Sequence, residues 1–176
     1  MNRPYPVIDC DGHITESEAQ VRKYMDEPYR SRGSSYLAGG NYWDRNLGGT
    51  MGQEAPDPET WLRAMDEGGM EQAVLFGSAI AFNISLIWEP DVAIAAAKAY
   101  NQFLYEEFLK VSPRLQGVAI LPLQDMDEAV KELRRAVTEL GMKGAMIPAW
   151  GLHPPLGHKQ FFPLYEEAQK LNAVIA

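Results

Sequence analysis

Glu67-Gly68-Gly69-Met70-Glu71-Gln72-Ala73-Val74 and Glu139-Leu140-Gly141-Met142-Lys143-Gly144-Ala145-Met146 read as two copies of one joint. In each, glycine ends a helix and a short apolar run follows. Glycine takes the left-handed turn that closes a helix at no steric cost. A short apolar run bounded by turn residues reads as a buried strand. The joint therefore predicts a helix that returns directly into a strand, and its repetition predicts a repeating unit.

Working outward from the joints, the unit recurs along the chain. Asp57 is a helix N-cap with Pro58 at the first helical position, and Trp61, Leu62 and Met65 share one face. Gly68-Gly69 closes that helix, and the strand Ala73-Val74-Leu75-Phe76 follows, stopping at Gly77 and Ser78. A second helix over about 91–111 spaces Ala93, Ala97, Tyr100, Phe103, Leu104 and Phe108 helically and leads to the strand Gly117-Val118-Ala119-Ile120-Leu121. A third, over about 126–140, aligns Val130, Leu133 and Val137 before the strand Gly144-Ala145-Met146-Ile147. A fourth, over about 160–171, runs into Ala173-Val174-Ile175. The pairs Glu106-Glu107 and Arg134-Arg135 fall off the apolar stripes and read as solvated faces.

With a first strand at Pro6-Val7-Ile8, the pattern gives five strands and four main helices. This is the α/β class, with a parallel sheet and right-handed crossovers. An open doubly wound sheet and part of a TIM (β/α)8 barrel both fit the alternation. No G-x-G-x-x-G or Walker loop follows the first strand, so the usual nucleotide reading of the open sheet has no support. Asp11, His13, Ser78, Gln124, Trp150 and His153 all follow C-terminal strand ends, where barrel enzymes build their sites, which favours the barrel. Residues 1–176 form one partial barrel domain interrupted by a long loop at about 17–56. That loop has at most a short helix near 18–26 and is rich in glycine and aromatics, including Tyr42 and Trp43. A loop of this length with aromatic content reads as a substrate-covering insertion.

Asp9-Cys10-Asp11-Gly12-His13 follows the first apolar run. Strand alternation would put Val7, Asp9, Asp11 and His13 on one face, and the last two would offer a hard oxygen and an imidazole to one divalent cation. An Asp-Gly turn beside a structural histidine is the competing reading. Asp9, deeper on the same face, is expected to hydrogen-bond to backbone or ligand. Cys10, the only cysteine, is expected to be a buried small hydrophobe.

The bulk composition excludes several classes. A length of 176 residues with 46% hydrophobic and 10% aromatic content is enough for one real core. Lys plus Arg number 16 against 24 Asp plus Glu, a net charge of −8 with no basic run, which argues against nucleic acid as a partner. No membrane span or signal-peptide pattern is visible, so the expected compartment is cytoplasmic.

Four stretches resemble one known family, the amidohydrolase-related proteins that include aminocarboxymuconate-semialdehyde decarboxylase and dihydroxybenzoate decarboxylase. They are Val7-Ile8-Asp9-Cys10-Asp11-Gly12-His13-Ile14-Thr15-Glu16, Met65-Asp66-Glu67-Gly68-Gly69-Met70-Glu71-Gln72-Ala73-Val74-Leu75, Pro113-Arg114-Leu115-Gln116-Gly117-Val118-Ala119-Ile120-Leu121-Pro122 and Phe161-Phe162-Pro163-Leu164-Tyr165-Glu166-Glu167-Ala168. The resemblance implies a metal-dependent hydrolase-type barrel, of which this sequence is about the first half. It implies that Asp11 and His13 are the first-strand metal ligands. Zinc leads as the ion, with manganese or magnesium as alternatives. The family's later ligands, histidines from the fifth and sixth strands and an aspartate from the eighth, have no counterpart here.

The expected activity is hydrolysis or non-oxidative decarboxylation of a small carboxylic acid, aromatic or conjugated. Glu16, Trp150 and His153 are the candidate substrate-facing residues, with a helix cap as the alternative for Glu16 and an ordinary loop histidine for His153. His158 reads as structural or solvent-exposed. Two ligands hold an ion weakly, so the sequence is expected to be a truncated product or fragment of a longer chain, ahead of a half barrel completed by another subunit as a homo-oligomer. A non-catalytic half-barrel protein that binds a ligand or partner is the rival reading.

Overall fold

The computed structural model describes residues 5–32 and 57–176. The chain order is β1 (Ile8–Ile14), α1 (Glu18–Arg22), α2 (Pro58–Gly68), β2 (Gln72–Gly77), α3 (Ile80–Asn83), α4 (Pro90–Leu104), β3 (Leu115–Ile120), α5 (Met126–Thr138), β4 (Gly144–Met146), α6 (Phe162–Leu171) and β5 (Val174–Ile175). Helix α4 runs on into a π-helical turn, Tyr105–Leu109, and α6 is preceded by a 3-10 turn, Lys159–Phe161. Most of the expected long loop, with Tyr42 and Trp43, lies outside the described residues. No helix among the described residues is long and apolar enough to cross a membrane.

The two glycine joints behave alike. Gly69 (φ 65°) and Gly141 (φ 69°) both take the left-handed turn, and Ala73 and Ala145, four residues on, are fully buried. The third joint, from α6 to β5, uses Asn172 at φ 51° in the same role, asparagine being the non-glycine residue that best tolerates this region. The amides just past the turns bond back to the last helical carbonyls, Met70 to Met65 O at 2.8 Å and Ala173 to Ala168 O at 2.9 Å. Arg114 locks the first joint to β3 by donating to Asp66 Oδ1 (2.7 Å), Glu71 O (3.2 Å) and Met70 O (2.8 Å).

All five strands are parallel, in the order β1-β2-β3-β4-β5. A doubly wound sheet reverses its strand order at a switch point; this sheet does not, so the barrel is the architecture that fits. Strand β3 pairs with β2 through Leu115, Gln116 and Gly117 but with β4 through Val118, Ala119 and Ile120. The sheet thus steps along the strand direction as it proceeds, which is the stagger that barrel closure requires. One face, with Ala73, Leu75, Leu115, Ala119 and Ala145, is buried beneath the helices. The other, with Ile8, Val74, Phe76 and Met146, is only partly covered by the described residues.

Strand β1 departs from simple alternation. Asp9 pairs with Ala73 and Gly12 with Leu75, so Cys10 and Asp11 together stand opposite Val74. This bulge shifts the register by one residue. Asp9 therefore falls on the side of Ala73, opposite to His13, which pairs with Phe76. That corrects the single-face expectation. The bulge also corrects Cys10, which is exposed rather than buried. Asp9 does bond to backbone, its Oδ1 accepting the Asp11 N–H at 3.0 Å within the bulge.

A buried polar cluster ties α4, α5 and β3 together. Asn101, fully buried in α4, donates through Nδ2 to Ile120 O (3.0 Å) and Glu132 Oε1 (2.7 Å), while its Oδ1 accepts the Ile120 N–H (2.9 Å). Arg135 donates to both oxygens of buried Glu132, so it belongs to this network and not to a solvated face. Asn101→Ala would strand both backbone groups of Ile120, while Glu132 Oε1 would keep its bond from Arg135 Nη2. We expect a loss of about 2 kcal/mol, read as a lower urea midpoint with an unchanged slope; an unchanged midpoint would show that water replaces the amide.

Candidate functional site

The C-terminal ends of the strands gather the polar and aromatic groups. His13, the last inward-facing residue of β1, has Nε2 3.5 Å from Asp11 Oδ1. The bulge brings Asp11 to this side of the strand, and its side chain is 92% exposed, so the carboxylate remains free to accept a ligand. On the other side of the ring, Nδ1 lies 3.3 Å from Ser78 Oγ at the end of β2. The imidazole stacks on Phe82 (centroids 5.9 Å apart, planes at 18°) and tilts against Phe76 at 5.8 Å.

The segment after β2 that supplies Ser78 and Phe82 is fixed from three directions. Glu16, only 3% exposed, accepts the N–H groups of Ser78 (3.0 Å), Ala79 (2.9 Å) and Ile80 (2.7 Å), capping α3 from the end of β1. Gln124, after β3, donates Nε2 to Ile84 O (2.6 Å) and Ile87 O (2.9 Å). Trp150, after β4, donates its indole N–H to Phe82 O at 2.6 Å. Burial raises the Glu16 carboxyl above its ordinary value, against the lowering effect of its N–H donors. A cavity of about 100 Å³ lies beside Glu16, lined in part by Ile14, Gln20, Asp57 and Phe103.

Asp11 and His13 are thus brought together as expected, and Trp150 reaches the same centre through Phe82. Glu16 spends its oxygens on the backbone of another strand's loop; the helix it caps is α3, whereas its own neighbour Ser17 caps α1. His153 is exposed on the loop after β4, and no hydrogen bond joins it to the pair among the described residues. His158 caps the 3-10 turn, its Nδ1 accepting the Gln160 N–H at 3.3 Å, a structural role. Sequence reading missed Phe82 and the bracing of its segment; the signal available was the polar set Ser78, Gln124 and Trp150, one, four and four residues past β2, β3 and β4.

A carboxylate oxygen beside an imidazole whose far nitrogen is already occupied offers mixed hard and borderline donors that suit a divalent ion such as zinc or manganese. The donor set fits as far as it goes. No cluster of three or more His, Cys, Asp or Glu suited to an ion exists among the described residues.

Known proteins resemble this chain over nearly all of its length. A gamma-resorcylate decarboxylase of Rhodococcus jostii (strain RHA1) is 38% identical over 166 residues, covering 89% of this chain and 49% of the relative. A solved 2,6-dihydroxybenzoate decarboxylase from Rhizobium superposes with a TM-score of 0.69 at 27% identity, covering 97% of this chain and 48% of its own. A dihydroxybenzoic acid decarboxylase from Polaromonas sp. JS666, solved with bound manganese and the inhibitor 2-nitroresorcinol, gives 0.71 at 25% identity, covering 97% and 48%. The chain spans about half the length of the curated relatives it matches. The amidohydrolase family profile matches residues 8–176, nearly all of the sequence, with the Asp11 and His13 strand at its start. The match spans the whole run of parallel strands, β1 to β5, and this chain belongs to the amidohydrolase family.

Proposed function

We propose that this chain forms one half of a metal-dependent, non-oxidative decarboxylase of a small aromatic carboxylic acid, with Asp11 and His13 anchoring the ion. The observation that carries this reading is the Asp11–His13 pair at the C-terminal end of β1, with Nδ1 held by Ser78 and Nε2 turned to the carboxylate. Kinship to decarboxylases supports C–C cleavage over hydrolysis and over a non-catalytic half barrel. The manganese in a relative supports that ion ahead of zinc or magnesium.

When bound, the ion would orient the substrate and stabilise developing negative charge. The chain's own part is to hold and shield it. Asp11 supplies a hard anionic oxygen and His13 a neutral nitrogen. Phe76 and Phe82 flank the imidazole and keep water from its faces. Trp150, half exposed at the same rim, offers an aromatic surface to the substrate ring, and His153 offers a hydrogen bond to its carboxylate. Glu16 serves the substrate site indirectly, by holding the Ser78 loop. The reading also includes residues 1–176 as one partial barrel domain with the 17–56 insertion, a cytoplasmic setting and a homo-oligomer, the last supported by the partly uncovered sheet face at Ile8 and Val74.

The test is titration of the purified chain with Mn²⁺. Asp11→Ala and His13→Ala are each expected to raise the dissociation constant at least about tenfold, because each removes a direct donor. Equal affinity in the wild type and the double variant would sink the reading.

A further inference from the structure

We propose that Ser78 is a positioning residue for His13: its hydroxyl selects one of the two ring orientations of the imidazole and so aims Nε2 at Asp11. This rests on the reading of Asp11 and His13 as metal ligands. It adds a residue from a second strand to their support.

The geometry that argues for it is a closed circuit. His13 Nδ1 meets Ser78 Oγ at 3.3 Å. The Ser78 N–H donates to Glu16 Oε2 at 3.0 Å, and Glu16 lies three residues from His13 on the same chain segment. The bond and its support therefore begin at His13 in β1 and at Glu16 two residues beyond the strand, and movement of the β2 loop away from β1 is opposed at two points. Ala79 and Ile80 add two more N–H donors to Glu16, and Asn83 Nδ2 donates to Ala79 O at 2.8 Å, holding the short helix against its own first turn. These bonds fix the Ser78 backbone, so the hydroxyl can move only by rotation about χ1.

An imidazole rotated by half a turn about its Cβ–Cγ bond would exchange nitrogens for carbons on both sides, and stacking on Phe82 and Phe76 is indifferent to that exchange. Two groups tell the orientations apart, Asp11 beside Nε2 and Ser78 beside Nδ1; the Asp11 side chain is 92% exposed, whereas Ser78 is held by its backbone, so Ser78 is the fixed reference. To present the Nε2 lone pair to an ion, Nδ1 must carry the proton and donate it to Ser78 Oγ. Partners of this kind set both ring orientation and ligand basicity.

The experiment compares the wild-type chain with Ser78→Ala and Ser78→Thr by two readouts. The first is independent of metal: cross-peaks from the His13 ring protons to the rings of Phe82 and Phe76 in NMR spectra. One set is expected for the wild type and Ser78→Thr, and two averaged sets for Ser78→Ala. The second is Mn²⁺ affinity, with a dissociation constant about tenfold higher for Ser78→Ala and within about threefold of wild type for Ser78→Thr. A Ser78→Ala chain that keeps a single ring orientation and wild-type affinity overturns the proposal. If the wild type binds Mn²⁺ no better than the Asp11→Ala, His13→Ala double variant, the metal reading falls. The ring cross-peaks then decide the role of Ser78 by themselves.

Discussion

Glu16→Ala is expected to destabilise the fold by about 3 kcal/mol, measured as the shift of the urea unfolding midpoint. The substitution strips acceptors from three backbone N–H groups at once, those of Ser78, Ala79 and Ile80. An unsatisfied buried donor costs about 1–3 kcal/mol. The sum is moderated because a cavity of about 100 Å³ adjoins the carboxylate and can admit water to the freed amides. Hydrogen exchange should speed up at Ser78, Ala79 and Ile80 first. A midpoint within experimental error of wild type would show that α3 holds itself.

The pH dependence of that loss has a definite sign. Desolvation lifts the folded-state carboxyl of Glu16 above its ordinary value of 4.5. The folded chain then binds the proton more tightly than the unfolded chain does. The associated stability is fully present below pH 4.5 and is lost as pH rises through the raised value. The gap between wild type and Glu16→Ala should therefore be wider in acid than at neutral pH. Glu128 and Glu167 move the opposite way, their carboxyls lowered by hydrogen bonds from Lys131 and Arg134. Both proteins share those groups, so the difference between them isolates Glu16.

Gly144→Ala is expected to cost about 4 kcal/mol or more, at the extreme end for a single methyl group. A Cβ there would lie 1.9 Å from Val174 O and 2.7 Å from Val174 N and C, all of them backbone in the paired strand β5. No side chain can rotate away to make room. Relief means parting β4 from β5, which breaks the bonds from Val174 N to Lys143 O (3.1 Å) and Ala176 N to Ala145 O (3.0 Å). Gly157→Ala is the control: a Cβ at that position meets nothing within 4 Å, and it should be close to neutral. If the two variants unfold at the same urea concentration, the close approach of β5 to Gly144 is not a constraint on the fold.

What could be read from the sequence was what neighbouring residues decide among themselves. The helix-to-strand joints were legible because a left-handed turn must be supplied on the spot, by Gly69 and Gly141. The pairing of Asp11 with His13 was legible because the two sit on the same short stretch beyond the bulge's start. The bulge itself was not, since a register shift exists only relative to a partner strand, here β2. Helix α3 was missed for a related reason. Its first turn has no side-chain cap of its own, and its amides are satisfied by Glu16, more than sixty residues earlier in the chain. Sequence rules for helix starts look one to three residues upstream and could not find it.

The loop that seats His13 is tethered by Glu16, Gln124 and Trp150, which come from three separate strand ends. Such redundancy makes the site tolerant of change at its margins. A lineage can rewrite the turn after β3 or after β4 and still leave two attachments standing. The turns after β3 and β4 are thereby free to diversify while the imidazole at the end of β1 keeps its orientation.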